Sequence, residues 1–512
     1  MIRRPDTPVG GRWTRPRRFD RNLVVIGAGS AGLVSAYLAA ALRARVTLVE
    51  AARMGGDCLN TGCVPSKALI HSARFAAESR RAAALGLSGP PLEVDFGTVM
   101  ARVQAMIGAV APHDSIERYT ALGVDVRRGH ARITSPWCVE VDGHPITTRT
   151  IIIAAGAAPI VPELPGLAET EYLTSETLWQ LRTLPRRLLV LGGGPIGCEM
   201  AQAFAQLGSR VTLIQQAPRL LMREDDDVSA FVAARMAADG VRVLTRHTPV
   251  AIKVADGGRA MRIAHDGAEV VERFDALLVA VGRRPRTAGY GLEELGIEVT
   301  PARAIETDAW LRTLHPNILA CGDVAGPYQF THAAAHQASS AVLTGLFAPL
   351  HRSRPDYSVM PAVTFTDPEV ARVGLNEREA RTGGIAHEIV RYDLAELDRA
   401  IVDGADAGFV KVLTPPGKDR ILGATIVGAH AGELLAEFAL AMRHDIGLKG
   451  LLKTVHAYPT YAEANRASAG AWRAAHASPL GLALLARWHR WRRGAAAVAH
   501  QPDPPLPGAL PP

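Results

Sequence analysis

The same pattern of residues is written twice along this chain, and few folds accept it. Leu23-Val24-Val25-Ile26 is an apolar run that meets the string Gly27-Ala28-Gly29-Ser30-Ala31-Gly32. After a helix-length interval, Val46-Thr47-Leu48-Val49 ends on Glu50. Later, Leu188-Leu189-Val190-Leu191 meets Gly192-Gly193-Gly194-Pro195-Ile196-Gly197, and Val211-Thr212-Leu213-Ile214 ends on Gln215. Each copy predicts a buried strand, a tight turn, a helix and a second strand. The first glycine permits the turn, the second lets backbone approach a pyrophosphate, the third lets helix pack on strand, and the helix N-terminus attracts phosphate. One such string is weak evidence, whereas two in full context predict two dinucleotide sites. Glu50 can accept from a ribose 2′-hydroxyl. Gln215 in the matching place would not repel a 2′-phosphate, and Arg210 or Arg219 can pair with one, so NADPH is expected there over NADH.

At 512 residues the chain exceeds a single core, so several domains are expected. With 48% hydrophobic and 21% charged residues it reads as globular. Its formal charge of +7 suits anions in general. No recognition motif accompanies the basic residues, so nucleic acid is not an expected partner. No run approaches the roughly 20 apolar residues of a membrane span, and no signal-like apolar core follows the basic start, so a cytoplasmic protein is expected. From Leu480 to Arg493 apolar and basic residues interleave, a pattern able to lie peripherally on an acidic membrane or against a partner. From about Tyr357 the pattern changes to mixed strands and a helix over Gly432 to Arg443, predicting a separate α+β domain.

The stretch Gly55-Gly56-Asp57-Cys58-Leu59-Asn60-Thr61-Gly62-Cys63-Val64-Pro65-Ser66-Lys67 holds two of the five cysteines. Five are too few for a secreted disulfide framework, and a close pair in a reducing compartment points to catalysis or metal binding. In a regular helix five residues advance roughly 7.5 Å, beyond the usual Cα spacing of a disulfide, so the segment must be distorted. Asn60 and Gly62 permit that, and Pro65 suits the first turn of a helix beginning near Cys63. A thiolate at that end gains from the helix dipole, which lowers its pKa. Cys138, Cys198 and Cys321 have no such context and are expected to be small core residues.

GGDCLNTGCVPSKAL, the two glycine strings, Ala154-Ala155-Gly156-Ala157-Ala158-Pro159, Gly282-Arg283-Arg284-Pro285 and Cys321-Gly322-Asp323-Val324 together resemble the flavin-dependent pyridine nucleotide-disulfide oxidoreductases. The likeness spans roughly residues 21 to 470, with Ala155 where that family usually has threonine. It implies an α/β fold of two Rossmann-like FAD- and NAD(P)-binding domains plus a C-terminal α+β dimerisation domain. A flexible basic tail would occupy 1–20, the FAD domain 21–165 and 286–350, the NAD(P) domain 166–285, and the dimerisation domain 351–475. A basic amphipathic segment and Pro-rich tail would follow at 476–512. FAD would be held by Gly27, Gly29, Ser30, Ala31, Gly32, Glu50, Gly56, Asp57, Lys67, Ala131, Gly156, Asp323 and Gln329. NADPH, or NADH, would be held by Gly192, Gly194, Pro195, Ile196, Gly197, Gln215, Arg219 and Gly282. The resemblance further implies a redox-active disulfide between Cys58 and Cys63, Lys67 near the flavin ring and paired with Glu199, and a homodimer sharing its active sites across subunits.

Family members acting on organic disulfides generally carry a histidine before Pro-Thr, with a glutamate five residues later, because a leaving thiolate needs a proton. In Val455-His456-Ala457-Tyr458-Pro459-Thr460-Tyr461-Ala462-Glu463, Tyr458 takes the histidine's place and Glu463 keeps its own. An ordinary pKa near 10 makes tyrosine a poor acid-base group at neutral pH. His456, two residues earlier, is expected to be a hydrogen-bonded structural histidine. The tyrosine resembles mercuric reductase, as do, more weakly, Met360 to Val370, Gln329-Phe330 and Tyr172. Soft Hg(II) suits a thiolate pair and needs no protonated leaving thiol. Mercuric reductases also carry a C-terminal cysteine pair, and no cysteine follows Cys321 here. The expected activity is electron transfer from NADPH through FAD and the dithiol to Hg(II) or another thiophilic acceptor, with no resident metal. Cys58 and Cys63 would ligate the substrate ion, and Tyr458, Glu463, Lys67 and Glu199 would complete the catalytic set. The alternatives are a reductase of a small disulfide, similar to dihydrolipoamide dehydrogenase or glutathione reductase, and a flavoprotein that sequesters metal or docks on a membrane without turnover.

Overall fold

The structure, a computed structural model, describes residues 13–90, 92–255 and 258–493. The expected basic tail lies outside the described residues up to residue 12, as does the Pro-rich tail from 494. The chain divides into two compact units, one of residues to 221 with 236–356, the other of 222–235 with residues from 357.

The first glycine string does in the first unit what its chemistry requires. The strand Arg21–Ile26 runs parallel between Val46–Glu50 and the end of His144–Ile153, and Asp125–Arg128 and Ile318–Ala320 extend the parallel sheet on either side. The first half of His144–Ile153 also carries an antiparallel meander of Ala131–Ser135 and Cys138–Val141. Because a parallel sheet is covered on both faces, its inner strands carry apolar runs, Leu23 to Ile26 and Ile151 to Ile153, whereas the edge strand Asp125–Arg128 is charged. Leu23, Val25 and Ile152 pack with Ala31, Ala36, Ala334, Ala338 and Ala341 of the helices Ser30–Ala41 and Thr331–Phe347, while Val24, Ile26, Ile151 and Ile153 pack on the opposite face with Ile133, Tyr290 and Leu292. Fully burying one such Val, Leu or Ile contributes about 1.5–3 kcal/mol. Alanine on the helices lets them approach the sheet closely.

The second string repeats the construction. Arg187–Leu191 lies between Arg210–Gln215 and Ala276–Val279, with Val241–Thr245 outside, all parallel. In place of a crossover helix on one face, the antiparallel strands Thr248–Ala255, Gly258–His265 and Ala268–Phe274 supply Ile252, Met261, Ile263 and Phe274 to a core with Leu189, Leu191 and Val279. Tyr172 packs partly buried against that core.

The second unit is a five-stranded antiparallel sheet in the order 362–364, 369–374, 423–428, 409–414, 388–393. Its helices Ala431–Arg443 and Glu463–Ala475 bury Leu435, Phe438, Ala469 and Trp472 on it. Lys411, 2% exposed in the strand Phe409–Thr414, bonds to Asp225 at 2.7 Å and Asp227 at 2.8 Å, which binds residues 222–235 to the sheet. No helix among the described residues is long and apolar enough to cross a membrane.

Candidate active site

The cysteine segment is broken where the sequence requires it. Gly56–Asn60 is one short helix and Cys63–Ser79 a second, with Thr61 and Gly62 between them outside helical geometry. The buried indole of Trp179 donates to the Thr61 carbonyl at 2.9 Å, and Asn60 donates to the Met54 and Gly56 carbonyls, both at 2.9 Å, so the break is pinned from both sides. Cys63 is thereby the first residue of a 17-residue helix. Both cysteines are thiols in this structure, hydrogen-bonded to each other.

That contact divides their acidities. Cys63 accepts from Cys58, and although burial opposes ionisation, the Thr331 hydroxyl at 3.5 Å and the Lys67 ammonium add to the first effect, so its pKa falls to about 6. Donation to Cys63, then burial, pushes Cys58 far up. A thiolate and a thiol are thus distinguished at neutral pH. Lys67 Nζ lies 3.0 Å from Glu199 Oε2, and the Glu199 side chain is 8% exposed on the second glycine-turn helix. Cys198 and Cys321 are fully buried core residues whose thiols burial pushes up, and Cys138 is half-buried.

The first glycine cradle fits FAD. A Cβ on Gly32 would stand 1.7 Å from the Gly27 carbonyl oxygen, which leaves glycine alone at the helix–strand contact. Gly29, by contrast, has only the Gly56 Cα at 3.8 Å, so its missing side chain leaves room for a ligand rather than for protein. The helix that begins at Ser30, followed by Ala31, has no side-chain cap, which leaves its N-terminal field for a phosphate. Glu50 accepts from the Ala28 N–H at 2.6 Å and the Ala52 N–H at 2.7 Å, fixing its carboxylate beside the turn. Burial first, then Asp57 and Cys63, raise Asp323 to about 6 against the pull of Arg283. Arg283 pairs with Asp57, donates to the Ala157 carbonyl at 2.9 Å and lies 4.0 Å from Asp323, so it joins the cysteine segment to the CGDV turn. Gly156 (φ +69°) accepts from Arg286 N–H, and Ala131 opens the meander opposite Val141. Gln329 is exposed just before the helix that carries Thr331.

The second cradle fits NAD(P)H by the same test. A Cβ on Gly197 would meet the Gly192 oxygen at 1.8 Å, while Gly194 has nothing within 4 Å. Pro195 and Ile196 start its helix, again without a side-chain cap. Gln215 accepts from Gly193 N–H at 3.1 Å and donates to the Arg219 carbonyl at 3.3 Å, closing the turn that Glu50 closes in the first copy. Gly282 (φ +131°) accepts from Ile160 N–H at 2.9 Å.

Sequence reasoning missed several of these residues. Thr331 reaches Cys63 across 268 positions, and Arg283, quoted only as part of a turn, is the central cation of the cysteine segment. Gln337 is fully buried, accepts from Gly322 N–H at 2.6 Å and donates to the Gly326 carbonyl at 2.6 Å, bracing the Asp323 turn. Arg246 N–H donates to the Ala217 carbonyl at 3.1 Å and His247 N–H to that of Gln215 at 3.2 Å, so both stand beside the Gln215 turn. His247 also stacks on His265 at 4.0 Å.

In the second unit Tyr458 is exposed, and its hydroxyl donates to Asp398 at 2.9 Å rather than to Glu463. That hydrogen bond raises its pKa. Glu463 instead accepts from Thr460 N–H at 3.4 Å. His456 is held between Glu437 (2.8 Å) and the Thr454 carbonyl (3.1 Å). Among the described residues no group of three or more His, Cys, Asp or Glu is placed to hold a metal ion.

The signature of the family described as Pyridine nucleotide-disulphide oxidoreductase matches residues 21–338, and that of its dimerisation domain matches 360–469, which indicates a homodimer. Dihydrolipoyl dehydrogenase of Chlamydia muridarum (strain MoPn / Nigg) is 33% identical over 448 residues, covering 86% of this chain and 94% of that protein. Mercuric reductase of Streptomyces lividans is 35% identical over 461 residues, covering 88% and 95%. The solved Cu(II) complex of HOCl-induced flavoprotein disulfide reductase RclA from Escherichia coli has a TM-score of 0.78 at 28% identity, over 88% of this chain and 99% of that one. The chain therefore belongs to the pyridine nucleotide-disulphide oxidoreductases, enzymes that use FAD and NAD(P)H.

Proposed function

We propose that this enzyme uses NADPH to open a Cys58–Cys63 disulfide and passes the electrons to Hg(II) or another thiophilic metal ion, as a homodimer whose subunits share each active site, in a cytoplasmic setting. Two observations together carry the reading: Cys63 is a thiolate above about pH 6, and the place in the sequence of a proton-donating histidine holds Tyr458, kept neutral by Asp398. Bound FAD supplies the two-electron relay between nicotinamide and sulfur. In balance, one hydride equivalent breaks the S–S bond, leaving Cys58 as thiol and Cys63 as thiolate, and NADP⁺ is released. Transfer of that electron pair to Hg(II) gives Hg(0), restores the disulfide and frees one proton. Lys67, paired with Glu199, keeps a positive charge beside Cys63 and favours its thiolate. Thr331 donates a hydrogen bond to the same sulfur, while Gly29, Glu50 and Asp323 would hold FAD and Gly194 and Gln215 would hold NADPH. A solved relative captured as a Cu(II) complex supports a metal-ion acceptor.

The His456–Glu437 pair favours a second reading, reduction of a small disulfide with that imidazole as proton donor. Steady-state NADPH oxidation with purified enzyme separates the two. Turnover with Hg(II) or Cu(II) that is lost in Cys58→Ser supports the proposal, whereas turnover only with lipoamide or glutathione disulfide, lost in His456→Ala, overturns it.

A further inference from the structure

We infer that the helix Pro479–Arg492 is a docking surface for an anionic lipid bilayer. It lies beyond the residues matched to the dimerisation domain, which end at 469, so the shared catalytic fold does not account for it. The sequence builds it as a helix in its own right: Ser478 caps it by accepting from Gly481 N–H at 3.2 Å, and Pro479 holds the first position. None of its residues is buried.

At 100° per residue, Leu480, Leu484, Trp488 and Trp491 fall on one stripe, and Leu485 lies outside it, beyond Arg492. All five are exposed, Leu480 to 79% and Trp491 to 71%. A water-facing stripe of this kind is unfavourable unless something covers it. The charges name the cover. Arg487 and Arg492 border the stripe, Arg490 and Arg493 stand behind it, and no acidic residue occurs from 479 to 493. A second copy meeting this face isologously would bring the two bordering arginines of each helix towards those of the other, with no acidic residue to pair them. A bilayer with acidic headgroups instead accepts the leucines among its acyl chains, the two indoles at headgroup depth and the guanidiniums on phosphate. The indoles of Trp488 and Trp491 lie 5.1 Å apart, and Arg492 stands 5.9 Å over Trp488, so the aromatic and cationic parts form one patch.

The test is co-sedimentation of the FAD-loaded full chain with vesicles of phosphatidylcholine alone and of phosphatidylcholine mixed with phosphatidylglycerol. Binding to the mixed vesicles only, released by salt and accompanied by a blue shift of tryptophan emission, is the expected result. The variant R487E/R490E/R492E/R493E should lose roughly several hundredfold or more in vesicle affinity, at about fivefold per positive charge removed. W488S/W491S should lose binding too. Both should keep their flavin content and far-UV circular dichroism, which shows that the fold survives. No binding to acidic vesicles, equal binding to neutral ones, or an undiminished charge variant would overturn the inference. So would a drop in the solution mass of W488S/W491S, which would assign the face to a second copy, or vesicle binding displaced by an acidic polypeptide that the helix holds more tightly.

Discussion

The Cys63 sulfur lies 3.5 Å from the Thr331 hydroxyl, so the first residues of two 17-residue helices, far apart in sequence, meet at one atom. Both helix N-termini favour negative charge there. In the reduced enzyme, alkylation of Cys63 by iodoacetamide should therefore follow a titration with its midpoint near pH 6. Thr331→Val should move that midpoint upward, toward the ordinary thiol value of about 8.5, and an unmoved midpoint would show that the hydroxyl contributes nothing.

The glycines sort into two kinds by what a methyl group would meet. Gly197→Ala should fail to fold properly, because the added carbon would stand 1.8 Å from a carbonyl oxygen. Gly194→Ala has open space and should fold with its flavin intact, yet lose roughly tenfold in NADPH affinity as the methyl occupies the pyrophosphate's approach. Flavin absorbance and a saturation curve for NADPH-driven flavin reduction distinguish the outcomes.

Gln215 accepts from Gly193 N–H, a bond that a glutamate can keep. Gln215→Glu should thus keep the Gly193 side of the turn, losing only the bond that Gln215 donates to the Arg219 carbonyl, while placing a carboxylate against the 2′-phosphate, raising KM for NADPH by roughly tenfold or more and leaving NADH less affected. Equal effects on both nucleotides would mean that this residue does not read the phosphate.

Tyr458 has its hydroxyl committed to Asp398. If a metal ion is the acceptor, Tyr458→Phe should change metal-dependent NADPH oxidation by less than about tenfold, since no proton is required from that place. Tyr458→His restores a group that titrates near 6.5 and should raise activity toward small disulfides. A large loss of metal turnover in the phenylalanine variant would assign the hydroxyl a direct role.

Lys411 is buried between Asp225 and Asp227. Burial alone would raise the pKa of Asp225, but its bonds from Lys411 and from the Arg378 and Glu377 N–H groups outweigh that and lower it. A carboxylate with a depressed folded pKa contributes stability that is complete above its unfolded value and is lost as pH falls through its folded value, so the second unit should weaken below about pH 4. Lys411→Met leaves the buried Asp225 carboxylate without its cation and should cost about 3–5 kcal/mol. Scanning calorimetry of the holoenzyme should show a transition moved down, with Asp225→Asn restoring part of the loss in the double variant.

The sequence by itself determined the local architecture of the two glycine turns. The two glycine strings, the strands that flank them and the start of a helix at Cys63 are set by steric rules acting over a few residues, which a linear pattern displays directly. Glu50 and Gln215 were legible for the same reason, since each ends a strand at a fixed distance from its glycines. The tertiary structure alone decided which distant groups share the chemistry. Thr331 at the Cys63 sulfur, Arg283 between Asp57 and Asp323, and Gln337 under the Asp323 turn are placed by packing, and packing leaves no periodic trace. The same holds for Tyr458, whose partner proved to be Asp398, sixty positions away, rather than the nearby Glu463. A side chain's hydrogen-bond partner depends on where the whole backbone travels, and sequence spacing fixes that only within a turn or a single element.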